Sequence, residues 1–431
     1  MYFRFENCEQ AEISFFREMG SLLLFFEKIY STVNNRKICV AVSGGADSLS
    51  LLILLKKWAE QKKWDKQKKQ SEKQNWKIYC CTVDHGLRKE SFDEALYVKN
   101  VCEKLNVEHS ILFWKHDSSI EEGKLENLAR EARYKLIREF CEGKKIPLIA
   151  VGHNWNDQLE TYELRKNAGS SEFGLAGMSQ IKTLSEHVKI IRPLLHFSKN
   201  FLEDFLKSQN IEWKTDPMNF QDTFQRVVAR KKIKEYSPQR IGEISKKICE
   251  YGKNRYEIER HAVDFLKSNC AISNLGFAEI DKKEFLNQNP KIQIEVLKRL
   301  IWNIGMKKYP CSIDEKMLSN ILCSKINTLG KCFIKIKKRK IFIFREKRNF
   351  FKTDTSIWDN RFLIKLKLTK NQYIYSSERE FNVTMPCDAL AGFPCLYEDG
   401  KAKYDFDEWV KFVKFMRKPD LLDVYCGVNC E

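Results

Sequence analysis

The run Ser43-Gly44-Gly45-Ala46-Asp47-Ser48 combines what a polyphosphate asks of a protein. Adjacent glycines let the backbone turn tightly and bring N–H groups against an anion, and the serine hydroxyls can donate further hydrogen bonds. The apolar stretch from Leu49 to Ala59 follows directly, so the loop also opens a helix whose N-terminal partial charge favours phosphate. A carboxylate inside such a loop repels phosphate unless a divalent cation stands between them, which makes Asp47 a candidate Mg2+ ligand. The pattern is not the lysine-bearing phosphate loop, which closes on Gly-Lys-Ser/Thr.

A second constellation follows at His153-Asn154-Trp155-Asn156-Asp157-Gln158-Leu159-Glu160-Thr161. On a helix starting near Asn154, the side chains of Asp157, Glu160 and Thr161 share one face, with His153 at its mouth. Paired carboxylates suit a cationic ligand such as the ammonium groups of free lysine. One of them, or His153, can take the proton that an amine of free pKa about 10.4 must lose before it attacks. On a solvated helix such a pair would carry no chemistry, but a position just past a strand end in a parallel sheet is where ligands bind. Arg130, Arg133, Arg226 and Arg230 are the guanidinium candidates for anionic groups nearby.

The loop matches the Ser-Gly-Gly-x-Asp-Ser signature of the PP-loop ATP pyrophosphatases. Several further segments resemble one family of that class, the tRNA(Ile)-lysidine synthases, in order. They are Asp84-His85-Gly86-Leu87-Arg88, Ala129-Arg130-Glu131-Ala132-Arg133-Tyr134, the His153 segment, Gly174-Leu175-Ala176-Gly177-Met178, Arg192-Pro193-Leu194-Leu195 and Asp216-Pro217 with Asn219. The match is closest over about 37–230, and departs where the family's second His is Asn154, the first Asp of its pair is Asn156, and Ser171, Met218 and Val227 replace other motif residues.

The resemblance implies ATP bound by Ser43, Gly44, Gly45, Ala46, Asp47 and Ser48, with Mg2+ on Asp47, and free L-lysine held by Asp157 and Glu160. It implies catalytic roles for Asp47, Arg130, His153, Asp157 and Arg226, with Arg130 and Arg226 stabilising an adenylated intermediate or positioning RNA. The implied reaction adenylates C2 of the wobble cytidine in a CAU-anticodon tRNA(Ile), then replaces AMP by lysine to give lysidine. Cytoplasmic location is expected, with no membrane and no protein partner. The alternatives are a thiolating PP-loop enzyme, or a catalytically degenerate RNA-binding relative. Cluster-dependent thiolation uses Cys-x-x-Cys pairs, which this sequence lacks.

Positioning these residues requires strands that end beside one another. Lys37 to Val42, Lys77 to Val83, Glu108 to Trp114 and Pro147 to Val151 read as buried strands, and helical patterns at about 90–105 and 120–142 alternate with them. That alternation predicts an α/β fold, a parallel sheet with helices on both faces. The polar stretch Gln61 to Lys77 reads as a surface insertion. The expected division is a helical lead at 1–36, the catalytic domain at 37–220, a mainly helical middle domain at 221–330, and a small mixed α/β domain at 331–431.

In that last domain Lys337-Lys338-Arg339-Lys340 forms the turn of a strand–turn–strand signal. With Lys335, Arg345, Lys347, Arg348, Phe342 and Phe344 it is a candidate tRNA-contact surface, alongside Arg133 and Arg230. Over all 431 residues, 76 Lys and Arg against 58 Asp and Glu leave a formal charge of +18, a field that collects polyanions such as nucleic acid or an anionic membrane. The 15 cysteines have no metal spacing and no secretory segment before them, so free thiols are expected.

Overall fold

The computed structural model describes residues 20, 22, 24–26, 35–69, 76–87, 90–115, 122–214, 224–307, 309–324, 326–346, 357–369, 371–376, 393–399, 401–402, 410–417 and 421–422. Most of the expected 1–36 lead, Arg88, the segment 216–219, Lys347 and Arg348 lie outside them. The chain divides into two compact units, Met1–Tyr256 with Tyr425–Glu431, and Glu257–Val424.

The first unit is built on strands β1 (Lys37–Ala41), β2 (Lys77–Asp84), β3 (Glu108–Phe113), β4 (Leu148–Val151), β5 (Ile181–Thr183) and β6 (Lys189–Ile191). Their order is β3-β2-β1-β4-β6-β5, parallel throughout except for β5, which pairs antiparallel with β6 at the edge. Successive side chains of β1 point to opposite faces, and the two cores follow that alternation. Ile38 and Val40 pack with the helices α1 (Ala46–Lys69) and α2 (Glu90–Lys104), whereas Cys39 packs with Ile137 and Cys141 of α3 (Glu122–Gly143). Helices therefore cover both faces, as the alternating elements predict.

One expectation changes: residues 61–69 continue α1 instead of forming a separate insertion. Lys, Gln and Glu are strong helix formers, and neither Gly nor Pro interrupts them. Past β4 come α4 (Trp155–Asn167), a single turn α5 (Glu172–Leu175), α6 (Lys199–Ser208), α7 (Phe224–Lys234) and the long α8 (Pro238–Asn269).

The second unit holds β7 (Cys270–Ile272), β8 (Ala278–Asp281), α9 (Lys282–Leu286), α10 (Pro290–Gly305), α11 (Glu315–Cys323), β9 (Ile326–Leu329), β10 (Cys332–Ile336) and β11 (Lys340–Arg345). The sheet order β7-β8-β11-β10-β9 crosses the boundary expected at 330, because Ile341 of β11 pairs with Ile280 of β8. The helical segment 290–323 packs on that sheet in one apolar cluster, so 221–330 is not a body of its own. Two three-stranded sheets complete the unit: β12 (Ile357–Trp358), β13 (Phe362–Ile364) and β17 (Val413–Phe415), and β14 (Gln372–Ser376), β15 (Pro394–Glu398) and β16 (Lys401–Ala402).

Free thiols hold at Cys39, Cys80, Cys81 and the other described cysteines except Cys249, which is disulfide-bonded. No helix among the described residues is long and apolar enough to cross a membrane.

Candidate active site

The nucleotide loop sits where β1 hands over to α1. Gly44 adopts φ +85°, a conformation natural to glycine, and its carbonyl accepts the backbone N–H of Lys214 at 2.9 Å. The Ser48 hydroxyl donates to the Gly45 carbonyl at 3.0 Å and accepts the backbone N–H of Ser43 at 3.2 Å. Ser48 is buried and braces the loop from inside, while Ser43 is exposed. Of the two serines expected to donate to phosphate, Ser48 is thus engaged within the loop and Ser43 faces outward.

Gly152 supports the loop from behind. A Cβ there would lie 2.9 Å from the Ser48 nitrogen and 3.0 Å from the Asp47 carbonyl carbon. Those are backbone atoms, so Gly152→Ala must displace the loop itself. Overpacking of this kind costs about 1–3 kcal/mol. The variant is expected to melt several degrees lower and to lose at least about tenfold in ATP-dependent turnover, since 1.4 kcal/mol is one decade. Differential scanning calorimetry and pyrophosphate release check both; unchanged turnover would show that the loop tolerates the shift.

Asp47 lies in the first turn of α1. Burial pushes its carboxyl above the ordinary range, opposed by a hydrogen bond from the Asn154 side chain and by Lys199, with Glu203 pushing the same way as burial. Its Oδ1 is buried without a hydrogen-bond partner. An orphaned carboxylate oxygen beside a phosphate loop is what a cation would complete.

Asn154 connects this loop to α4. It is the N-cap of that helix, its side-chain oxygen accepting the Asp157 N–H at 3.2 Å while Asp157 Oδ2 accepts the Asn154 N–H at 2.9 Å. Asn is among the best N-caps, so the departure from His at 154 has a structural use. Asn156 likewise accepts the Lys199 N–H at 3.0 Å, fastening the start of α6 to the start of α4.

Asp157 and Glu160 both face this region. Burial raises the Asp157 pKa to about 6; the Asn154 N–H lowers it, Glu160 and Asp47 raise it, and Arg226 lowers it. Glu160 is not open: Arg230 Nε donates to its Oε1 at 2.7 Å. Lys232 does the same for Glu163 Oε2 at 2.7 Å, so α7 is pinned to α4 by two ion pairs. Arg230, expected at the RNA surface, is partly buried against Glu160, because a carboxylate only 8% exposed needs a partner.

His153 receives the side chain of Arg192, whose Nε lies 3.3 Å from Nδ1. Its pKa falls to about 3, first through burial and then through Arg192, Arg130, Arg226 and Arg133. Without a bound anion the ring is therefore neutral. Arg192 was legible only as part of a motif. Its position directly after β6 and its burial are what give it a role.

Arg130 is exposed, its guanidinium 5.4 Å from the Tyr134 ring. Arg133, also exposed, donates to His85 Nε2 at 3.2 Å, and His85 meets Trp114 edge-on at 5.9 Å. The turn bearing His85 is tied to the end of β2: Asp84 Oδ1 accepts from Gly86 N at 2.9 Å and from the Ser91 hydroxyl at 2.6 Å. Gln158 clamps the 174–178 loop by accepting the Met178 N–H at 2.6 Å and donating to its carbonyl at 3.0 Å.

The basic hairpin belongs to the second unit. Lys337 N–H donates to the Lys340 carbonyl at 2.9 Å and closes the turn, leaving Lys338 and Arg339 exposed. Lys337 Nζ stands 5.5 Å from the Phe342 ring, and Lys340 pairs with Glu279. Arg345 is withdrawn from the expected RNA surface. It is buried, donating to Asp359 at 2.8 Å and to the Gly305 carbonyl at 3.1 Å.

Residues 22–236 match the model of the PP-loop domain family. A tRNA(Ile)-lysidine synthase of Orientia tsutsugamushi (strain Boryong) is 30% identical, the match covering 77% of this chain and 75% of that protein. One of Wolbachia pipientis wMel is also 30% identical, covering 79% of this chain and 80% of that protein. Such shares exceed what 22–236 can hold, so the similarity runs on into the second unit. Among solved structures, a U34-tRNA thiolase from Methanococcus maripaludis aligns with a TM-score of 0.46 at 15% identity, covering 59% of this chain and 84% of that one. With this sheet order, this loop and relatives of that identity over three quarters of their length, the chain belongs to the tRNA(Ile)-lysidine synthase family of PP-loop enzymes.

Proposed function

We propose that the protein joins L-lysine to C2 of the wobble cytidine of a CAU-anticodon tRNA(Ile), consuming ATP and releasing pyrophosphate and AMP. The observation that carries this reading is the hydrogen-bonded run from Asp47 through Asn154 to Asp157. It links the phosphate-loop helix to a buried carboxylate on α4, which supports a reading in which an activated oxygen and an amine nucleophile meet there.

In the first step the C2 oxygen attacks the α-phosphorus of ATP, and pyrophosphate leaves against the N–H groups of the Ser43–Ser48 loop. In the second, the ε-amine of lysine attacks C2 and AMP departs with the C2 oxygen. Asp157 takes the proton that the amine loses, and Arg130 and Arg226 offset charge on the phosphate. Asp47 would hold Mg2+, which neutralises phosphate charge when bound. The donor set fits: a carboxylate oxygen without a partner, next to oxygen ligands that the polyphosphate brings. A tRNA substrate fits action in the cytoplasm.

Incubating the protein with ATP, radiolabelled lysine and tRNA(Ile) transcripts tests the reading. Label should enter the RNA only with a CAU anticodon and only with ATP. No label, or sulfur incorporation instead, would remove it.

The hairpin at 337–340 supports an RNA contact by the second unit. Binding of tRNA is expected to weaken linearly in log–log fashion with salt. Replacing Lys337, Lys338, Arg339 and Lys340 by Ala should lower the slope by about 2–3, at roughly 0.7–0.9 per phosphate contact. Lys340 contributes least, because Glu279 already pairs with it. An unchanged slope in filter-binding titrations would move the RNA contact elsewhere.

A further inference from the structure

Arg192 leaves β6 with its backbone and side chain both tied. Its N–H donates to the Gln180 carbonyl at 2.8 Å and its NH1 to the Ser179 carbonyl at 2.8 Å, with the side chain buried. That anchoring fixes where its Nε–H points, which is at Nδ1 of His153. A guanidinium has donors and no acceptor, so this bond requires a lone pair on Nδ1. A neutral imidazole with a lone pair on Nδ1 carries its proton on Nε2. The positive groups facing the ring are Arg192 after β6, Arg130 and Arg133 on α3, and Arg226 on α7. They oppose a second proton. Arg192 occupies Nδ1, so the Nε2–H is the donor the ring has left to offer.

We propose that Arg192 is a positioning residue that fixes His153 as the Nε2–H tautomer, so that the ring donates a hydrogen bond to a phosphate oxygen of the reacting nucleotide and never serves as a base. The nucleotide's identity rests on the proposed function, but the tautomer does not. Burial does most to hold the ring neutral, and the arginines that add to it also attract the phosphate to which the ring donates. Such a donor strengthens as charge develops on that oxygen in the transition state.

Two measurements test this. The first is 15N-histidine NMR of the full chain without substrates, in which His153 is identified among 7 histidines by its loss in His153→Gln. Its nitrogens are expected to show the Nε2–H neutral pattern and no titration between about pH 5 and pH 8, the range in which an ordinary histidine titrates. In Arg192→Met the pattern should become a tautomer mixture, the ring staying neutral through burial and the three remaining arginines. An Nδ1–H pattern in the wild type, titration of its signal in that range, or an unchanged pattern in Arg192→Met would overturn the proposal.

The second measurement is turnover. His153→Gln retains an amide donor but offers no base, and is expected to stay within about tenfold of wild type. His153→Ala should lose roughly 10²–10³ in kcat, the usual loss for one such donor. Equal inactivity of both variants, with both folded, would make His153 a base and sink the idea. If wild-type protein adds no lysine to tRNA, the proposed function fails on its own, and the NMR result still decides the tautomer.

Discussion

Asp47→Ala is expected to abolish turnover, by about a thousandfold or more, while leaving the melting temperature unchanged or slightly higher. On the proposed metal role, the loss follows from removing a ligand of a cation that supplies several kcal/mol of charge stabilisation, at about 1.4 kcal/mol per decade. The fold survives because the carboxylate is itself a buried burden. Burial raises its pKa and its Oδ1 has no partner, so alanine relieves a desolvation cost. Lysine incorporation measured across a Mg2+ titration, beside a thermal melt, checks both halves. Near wild-type incorporation at ordinary Mg2+ concentrations would remove the metal role, and a collapsed melt would make Asp47 a structural residue.

Asp157→Asn is expected to raise the KM for lysine at least about tenfold and to move the KM for ATP much less. A charged hydrogen-bond partner is worth about 1.5–3 kcal/mol, and 1.4 kcal/mol is one decade. The asparagine oxygen can still accept the Asn154 N–H, so the cap of α4 stays closed and the loss isolates the charge. In wild type, kcat/KM for lysine should rise as pH increases through about 6, where Asp157 ionises, and the variant should lack that rise. Stability runs the other way. The folded-state pKa lies above the ordinary 3.8, so the folded protein holds the proton more tightly than the unfolded chain. Its stabilising contribution is complete below about 4 and is lost as pH rises through about 6. The variant should therefore be the more stable protein at pH 8 and the less active one at every pH. If ATP binding collapses while lysine dependence stays normal, Asp157 serves the nucleotide and the amine assignment is withdrawn.

Much of the first unit could be read from residue order because its signals are local. A buried strand, two glycines and an apolar helix fix the nucleotide loop within about twenty residues of chain, and the period-two alternation of Ile38, Cys39 and Val40 already distributes side chains to two faces. The second unit hides its sheet because its pairing is not local. Beta-strand β8 meets β11 across the helices between them, and nothing in Ala278–Asp281 names Lys340–Arg345 as its partner. The candidate site divides in the same way. Asp157 and Glu160 are legible one turn apart on a helix, whereas Arg230 at Glu160 and Arg192 at His153 depend on contacts 70 and 39 residues distant. A charge read as surface from sequence turns inward once a buried carboxylate claims it.

The ion pair between Arg230 and Glu160 changes what binding at this carboxylate means. On the lysine-binding reading, an arriving ammonium group does not fill a vacant seat. It evicts a cation that the protein carries on its own chain, and the site passes from one charge-balanced state to another. Between turnovers Glu160 is spared the several kcal/mol that an unpaired buried ion would cost. The apparent affinity for lysine is lowered by the fraction of time the tethered guanidinium is in place, and stray monovalent cations face the same competitor. Because Arg230 rides on α7, with Lys232 gripping Glu163 two residues further along, exchange at Glu160 loosens one of two rivets on that helix. Amine occupancy is thereby converted into a local change in how firmly α7 is held.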